Sequence, residues 1–194
     1  LMREMGIEAI YPKQHLSSPA PGQHIYPYLL RNLAIARPNQ VWGTDITYIR
    51  ARPRWLYLVA ILDWHSRYVL SWRISDMMTA DVCVAALADA LSRAVPMIHN
   101  SDQGSQFTSR AYTGTLENRG VAISMDGRGR CFDNIFTERL WRTVKYEEVY
   151  LQRYESLLHA EQSLKRYFQF YNTTRLHSSL NYKTPAEVYF DGAN

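Results

Sequence analysis

The spacing of apolar residues changes at Val41, and the chain on either side of that point has a different character. Residues 1–40 hold five of the eight prolines and show little periodicity, which predicts an extended lead-in segment. Three runs rich in β-branched and aromatic residues follow, at Val41 to Arg50, Trp55 to Trp64 and Arg67 to Ser75. Because only short turn segments separate these runs, they predict an antiparallel meander of three strands.

The next part of the chain alternates between helical and strand patterns. Apolar residues recur on one face from Thr79 to about Ala94, which predicts a helix. Short apolar runs at Met97 to His99 and at Val121 to Met125 predict two brief strands, with a helix from Ser109 to Asn118 between them. A meander followed by alternating helices and strands is typical of an α/β protein with a mixed sheet flanked by helices.

Two longer helices are predicted in the last third of the chain. The first covers about residues 133–148 and repeats Phe136, Leu140 and Val144 at four-residue spacing as its buried face. The second covers Ser156 to Tyr171, and the residues after it form a Pro-containing tail. We expect three parts in chain order: a lead-in over residues 1–40, a core over 41–150, and a C-terminal helix and tail over 151–194 that pack on the core.

Charge and cysteine content limit which partners and which cellular compartment are expected for the protein. Residues 1–58 carry a net charge of +4, residues 59–118 carry −2 and residues 119–194 carry +2, a pattern compatible with a polyanionic partner around an acidic centre. Cys83 and Cys131 form no CxxC pair or zinc-binding spacing, which favours a reduced, cytoplasmic setting. No apolar run is long enough to span a membrane, and no signal segment opens the chain.

Two aspartates lie in unusual local settings. Asp45 falls in the middle of an apolar and β-branched strand, where a buried and unpaired carboxylate would cost several kcal/mol. It therefore needs a cation, a hydrogen-bond network or solvent, and a position on the exposed side of the sheet explains it equally well. Asp102 follows a short apolar run and precedes Gly104, at the kind of strand end where ligands gather. Taken alone, an ordinary Asx turn explains Asp102 better.

Glu138 is the third notable carboxylate, on the predicted helix over residues 133–148. It shares one helix face with Asn134, Arg142 and Lys145, at offsets of four and seven residues. This combination suits a metal ion beside phosphate groups. A simple surface pair between Glu138 and Arg142, worth about 0.3–0.5 kcal/mol, is the slightly better explanation when the helix is considered alone.

If these three carboxylates converge, they form a site with a distinctive chemistry. Hard divalent cations prefer oxygen ligands, and two such ions roughly 3.5–4 Å apart can activate a nucleophile and stabilise the leaving oxygen of a phosphodiester. Without metal, the carboxylates would repel one another and raise at least one pKa. The spacing along the chain does not show whether they converge.

The segments around the three carboxylates resemble those of DDE transposases of the insertion-sequence-three family, which have a retroviral-integrase-like catalytic core. The strongest match runs from Gly127 to Asn134, continues with Glu138 to Trp141, and resumes at Lys145 to Tyr150. The likeness covers nearly the whole chain, from Met5 near the start to residues 184–189 near the end.

This resemblance implies an RNase H-like fold in which Asp45, Asp102 and Glu138 are catalytic and bind two Mg²⁺ or Mn²⁺ ions. Water would cleave a phosphodiester at a transposon end, and the freed 3′-hydroxyl would then attack another DNA strand. The implied partners are double-stranded DNA, as transposon ends and target, and further copies of the chain on that DNA. The resemblance also implies a bacterial, nucleoid-associated protein with an upstream helix-turn-helix region, of which this chain holds only the trailing edge.

Basic residues near the carboxylates are candidates for contact with DNA phosphates, because cations beside glycines allow close approach of a phosphate backbone. The candidates, including one amide, are Arg128, Arg130, Asn134, Arg142 and Lys145. Three residues that match the tail motif of the family are Asn172, Arg175 and His177. Both contact with DNA and attachment of the tail to the core are compatible with this motif.

The last long helix carries aromatic residues that resemble a platform for stacking bases. Because Tyr167, Phe170 and Tyr171 recur at helical spacing, we expect them to lie in the core instead.

Three functions, two of them enzymatic and the third of another class, are compatible with these observations. The first is a transposase that cleaves and joins DNA strands, and intact Asp45, Asp102 and Glu138 favour it. The second is an RNase H-like nuclease that only hydrolyses DNA. The third is a catalytically silent DNA-binding or regulatory remnant of a decayed element.

Overall fold

A five-stranded mixed sheet lies at the centre of the protein, in the order β3-β2-β1-β4-β5. The computed structural model describes Met5 and residues 24–51, 54–127 and 134–191. The strands are β1 (Val41–Ala51), β2 (Arg54–Asp63), β3 (Val69–Ser75), β4 (Ile98–Ser101) and β5 (Ala122–Met125). Strands β1, β2 and β3 pair antiparallel, whereas β4 pairs parallel to both β1 and β5. The predicted α/β fold, with its meander and two short strands, is confirmed.

Helices cover both faces of this sheet. They are α1 (Ala80–Leu91), α2 (Arg110–Glu117), α3 (Ile135–Glu147), α4 (Leu157–Thr173) and α5 (Pro185–Asp191). Helices α1 and α2 pack with one hydrophobic cluster, and α3 and α4 pack with the other. None of the helices in the described part of the chain is long and apolar enough to cross a membrane.

Strand β2 shows why the sheet holds together. Leu56, Leu58 and Leu62 lie in the cluster with α3 and α4, whereas Val59 and Ile61 lie in the cluster with α1 and α2. Side chains alternate between the two faces of a strand, so a strand covered on both sides is apolar throughout. Full burial of each such side chain contributes about 1.5–3 kcal/mol. Strand β2 thereby fixes β1, which carries Asp45, against its neighbours.

The C-terminal segment contains a helix, α5, where the sequence analysis predicted only a Pro-containing tail. The backbone N–H of Thr184 donates to Oε2 of Glu187 at 2.7 Å, and the N–H of Glu187 donates to Oγ1 of Thr184 at 3.2 Å. This reciprocal pair is a capping box, and Pro185 occupies the first helical position, where it is favoured. Thr-Pro-Ala-Glu was therefore the local signal for the helix.

The aromatic residues of α4 lie mainly in the core. Tyr167 and Tyr171 are buried as predicted, but the prediction for Phe170 is wrong, because its side chain is 45% exposed. Phe168 is buried instead, and its ring stacks on Trp72 with centroids 5.2 Å apart. Tyr167, Phe168 and Tyr171 therefore form the buried face of α4, and Phe170 lies outside it.

Candidate active site

Asp45 and Asp102 lie beside each other because of the way β1 and β4 pair. These strands are parallel, and Gly43 is the partner of Asn100 in their register. Each aspartate lies two residues beyond that pair, so both side chains are on the same face of adjacent chains, which run about 4.8 Å apart. Strand pairing therefore brings together two carboxylates that are far apart in sequence.

The Asp45 side chain is half-buried and held at both oxygens. Its Oδ1 accepts from the backbone N–H of Ile46 at 2.7 Å, and its Oδ2 accepts from Nε1 of Trp141 at 3.0 Å. Burial raises the pKa of Asp45 to about 6, and the charges of Asp102 and, more weakly, Glu138 add to this rise. Both of the other predicted catalytic carboxylates therefore act electrostatically on Asp45.

Asp102 forms the Asx turn that its sequence suggested, at the end of β4. Its Oδ1 accepts from the backbone N–H of Gly104 at 2.8 Å. The side chain is open to solvent on one side, although desolvation by the protein atoms on its other side raises its pKa. A Cβ at position 104 would lie 2.8 Å from Asp102 Oδ1, so glycine there permits the turn. Asp102 can therefore form this turn and still lie beside Asp45.

Glu138 is exposed in the first turn of α3, which is docked against β1. Nδ2 of Asn134 donates to the backbone oxygen of Thr44 at 3.2 Å, and Trp141 bonds to Asp45 from the same helix. These two contacts lie on either side of Glu138 in sequence. They fix the beginning of α3 next to the strand that carries Asp45.

The three carboxylates fit a divalent cation by their chemistry. They are hard oxygen donors, and a cation would relieve both the burial and the mutual repulsion that raise the pKa of Asp45. Among the residues that the structure describes, no three His, Cys, Asp or Glu side chains are grouped closely enough to hold a metal ion. The carboxylates at positions 45 and 102 are adjacent, and the one at 138 is on the facing helix.

The other predicted DNA contacts differ in their surroundings. Arg128 and Arg130 lie outside the described residues. Asn134 is buried with its amide on β1, Arg142 is exposed with its guanidinium 5.9 Å from the ring centre of Tyr146, and Lys145 is half-buried. The contact of these residues with DNA stays a prediction.

All three tail-motif residues make contacts within the protein. Nδ2 of Asn172 donates to the backbone oxygen of Val69, and its Oδ1 accepts from the N–H of the same residue, both at 2.9 Å. Arg175 pairs with Glu147 on α3 at 2.6 Å, and the ring of His177 packs edge-on against Tyr171. Asn172 thus attaches the end of α4 to β3, and Arg175 and His177 attach the tail to α3 and α4.

Comparison with known proteins identifies the family. A model of the integrase core domain matches residues 35–131, which is half of the chain, and a second integrase core domain model matches residues 119–185. The chain belongs to the integrase core domain family.

Relatives of this integrase core are found among the proteins of bacterial insertion sequences. It is 35% identical over 154 residues to the transposase for insertion sequence element IS904 of Lactococcus lactis, which is 77% of this chain and 61% of the relative. It is 31% identical over 169 residues to the putative transposase InsK for IS150 of Escherichia coli, or 86% of this chain and 60% of that one. The chain thus spans about three fifths of these relatives.

Solved structures confirm the RNase H-like fold of the integrase core. The HTLV-2 integrase catalytic core domain, in complex with magnesium, gives a TM-score of 0.64 at 19% identity, with 79% of this chain and 97% of that one covered. A chain of the simian T-cell lymphotropic virus intasome gives 0.69 at 17% identity, with coverage of 88% and 60%. At these identities the likeness concerns the fold alone.

Sequence analysis missed two residues that shape the site. Trp141 bonds to Asp45, and its position three residues after Glu138, on the same helix face, was the available signal. Gly43 leaves room beside β1 for Trp64 and for α3, because a Cβ there would lie 2.1 Å from Nε1 of Trp64 and 3.0 Å from Oγ1 of Thr137 on α3. No local pattern in the sequence indicates the close packing at Gly43.

We expect Asp45→Asn to make the protein more stable above pH 6. The folded-state pKa of Asp45, about 6, lies above its ordinary value of 3.8. The folded protein therefore binds a proton more readily, and the free energy of unfolding rises as the pH falls from above 6 towards 4. Asparagine removes this dependence and stabilises the protein by at most about 3 kcal/mol.

Urea unfolding below and above pH 6, without divalent cations, measures this effect. Asp81→Asn is the matched control, because Asp81 is exposed on α1, and it should leave the pH dependence unchanged. If Asp45→Asn unfolds with the same pH dependence as the native chain, Asp45 is not the group that titrates.

Proposed function

We propose that this integrase core is the catalytic domain of a transposase that cleaves and joins DNA strands, with Asp45, Asp102 and Glu138 as its catalytic residues. One observation supports this most strongly. The register of β1 and β4 brings Asp45 and Asp102 side by side, and α3 is bonded to β1 next to Asp45. Two bacterial relatives, from IS904 at 35% identity and from IS629 at 30%, are named as transposases, which favours the same chemistry here.

The role that we propose for the three carboxylates follows from their contacts. Asp45 is held by Ile46 and Trp141 with its oxygens fixed, and Asp102 is held by its turn. These two and Glu138 would hold Mg²⁺ or Mn²⁺, which when bound supplies charge neutralisation at the phosphodiester and activation of the attacking oxygen. Because the protein holds these carboxylates in fixed positions, the attacking oxygen can be placed in the same orientation towards the phosphorus atom in both steps. That oxygen belongs to water in the first step and to a 3′-hydroxyl in the second.

The proposed partner is double-stranded DNA, as the ends of a mobile element and as a target. The first relatives are named for insertion elements, and one structural neighbour belongs to an intasome. Joining two ends to a target implies several copies of the chain on the DNA. We expect the reaction to take place at the bacterial nucleoid, in the cytoplasm. Recognition of a particular end sequence is expected from an upstream helix-turn-helix region rather than from these residues.

A strand-transfer assay tests the proposal. A duplex with the terminal repeat of the element that encodes the chain is labelled, mixed with target DNA and Mg²⁺, and analysed on a denaturing gel. We expect longer, joined products that disappear when the divalent cation is chelated. Shortened products alone would indicate a nuclease that only hydrolyses. Neither product, from protein that binds DNA, would indicate a silent remnant.

A further inference from the structure

A groove of about 930 Å³ lies between α3 and the segment that follows α4. Arg139 and Glu138 line it from α3, and Arg175 and His177 line it from the C-terminal segment. Arg67, from the connection between β2 and β3, also lines it. The groove therefore includes one of the proposed catalytic residues but extends away from the other two.

Arg67 is the unusual residue of this groove. Its side chain is half-buried, its Cζ lies 3.5 Å from the ring centre of Phe136, and its Nη1 is buried with no hydrogen-bond partner among the described residues. The nearby carboxylate of Asp63 accepts from Asn39 and Ser66 instead. A buried donor on a charged group is costly when it stays unpaired, so an anion at this position would satisfy it.

The surrounding charges also favour an anion. Arg139 is exposed beside Arg67, and its positive charge opposes that of Arg67. Arg175 is neutralised by Glu147, whose two oxygens both accept from it. Among the described residues that line the groove, the remaining carboxylate is that of Glu138. Arg67 and Arg139 are therefore two neighbouring cations that no carboxylate of the groove binds.

We propose that this groove binds a phosphate of the DNA backbone through Arg67 and Arg139, and that it guides the strand towards the catalytic carboxylates. The inference rests on the proposed function, because DNA would lie along this groove as the substrate of the catalytic site to which Glu138 belongs. Guanidinium groups form short, charge-assisted hydrogen bonds with phosphate oxygens. Such a contact positions the strand without selecting a base sequence.

DNA binding measured over a range of salt concentrations tests this site. The probe is a short labelled duplex of unrelated sequence, and its binding to the full chain is followed by fluorescence anisotropy. Each phosphate contact that is lost should reduce the slope of log affinity against log salt by about 0.9. We expect this reduction, with an affinity loss of about ten-fold at low salt, for Arg67→Gln.

Two further variants keep the test decisive. Arg139→Gln changes an exposed side chain, so it should reproduce the smaller slope with unchanged thermal unfolding even if Arg67→Gln folds poorly. Arg110→Gln removes the same charge from α2, on the other face of the sheet, and should bind like the native chain. The proposal would be overturned if Arg67→Gln and Arg139→Gln both fold and bind DNA with the salt slope of the native chain. It would also be overturned if these variants bind polyglutamate more weakly than the native chain but bind DNA equally well.

The outcome separates this proposal from the proposed function. If the native chain joins strands but neither variant changes the salt slope, the groove is not a phosphate site. If both variants reduce the slope but the native chain joins no strands, the groove binds DNA and the transposase proposal fails.

Discussion

Replacing Glu138 with Gln is expected to reduce strand transfer by about a thousand-fold, a loss comparable to that of a group that stabilises transition-state charge. Glutamine has nearly the shape of glutamate but lacks the negative charge that a metal ion requires. Because Glu138 is exposed on α3, the free energy of unfolding should change by less than about 0.5 kcal/mol. Initial rates of joined product, together with thermal unfolding, measure the two effects separately.

Glu161→Gln is the matched control for this experiment. Glu161 is exposed on α4, so the control removes the same charge far from β1 and should join strands at the native rate. Equal joining by native chain and Glu138→Gln would remove Glu138 from the site, whatever the outcome for the aspartates.

Gly43→Ala is expected to have the second largest effect, on stability and activity together. The new Cβ would lie 2.1 Å from Nε1 of Trp64 and 3.0 Å from Oγ1 of Thr137 on α3. Overpacking of this kind costs about 1–3 kcal/mol. Relief of the clash requires Trp64 to move, and because its ring packs edge-on against Phe136 of α3, that movement would push the helix away from β1. Since Glu138 moves with the helix, a displacement of about 1 Å should lower the joining rate about a hundred-fold.

A double-mutant cycle with Trp64→Phe tests the cause of this effect. Nε1 of Trp64 is buried and has no hydrogen-bond partner within the described residues, so its removal breaks no bond there. We expect Gly43→Ala to be at least about 1 kcal/mol less destabilising in the Trp64→Phe background. Additive losses would show that the clash is elsewhere. Gly114→Ala is the control, because a Cβ there meets nothing within 4 Å.

Much of the fold follows from local patterns in the sequence. The three strands of the meander have strong β-branched and aromatic runs, and helix α3 repeats Leu140 and Val144 at helical spacing, so both were predictable. Phe168 and Phe170 were not distinguished, because neighbouring aromatic residues fit a helical pattern in two registers and only packing on β3 selects one. Helix α5 had a capping-box signal that the prediction did not use.

The candidate site was less predictable from the residues themselves. Asp45 and Asp102 each had an ordinary explanation, and their proximity depends on β4 pairing beside β1, a contact between distant parts of the chain. The resemblance to a family supplied their roles. It gave no indication of Arg67, because a lone arginine after a turn has no local feature that shows it is half-buried against α3.

The amide of Asn172 has a consequence for how copies of this protein can associate. It occupies both main-chain groups of Val69, on β3 at one border of the sheet. At the other border, the N–H of Leu29 donates to Oγ of Ser124 on β5. Open strand borders invite another chain to add a strand, which leads to aggregation. At Val69 both main-chain groups that could pair with a strand of another copy are already occupied, and at β5 the chain before β1 lies against Ser124.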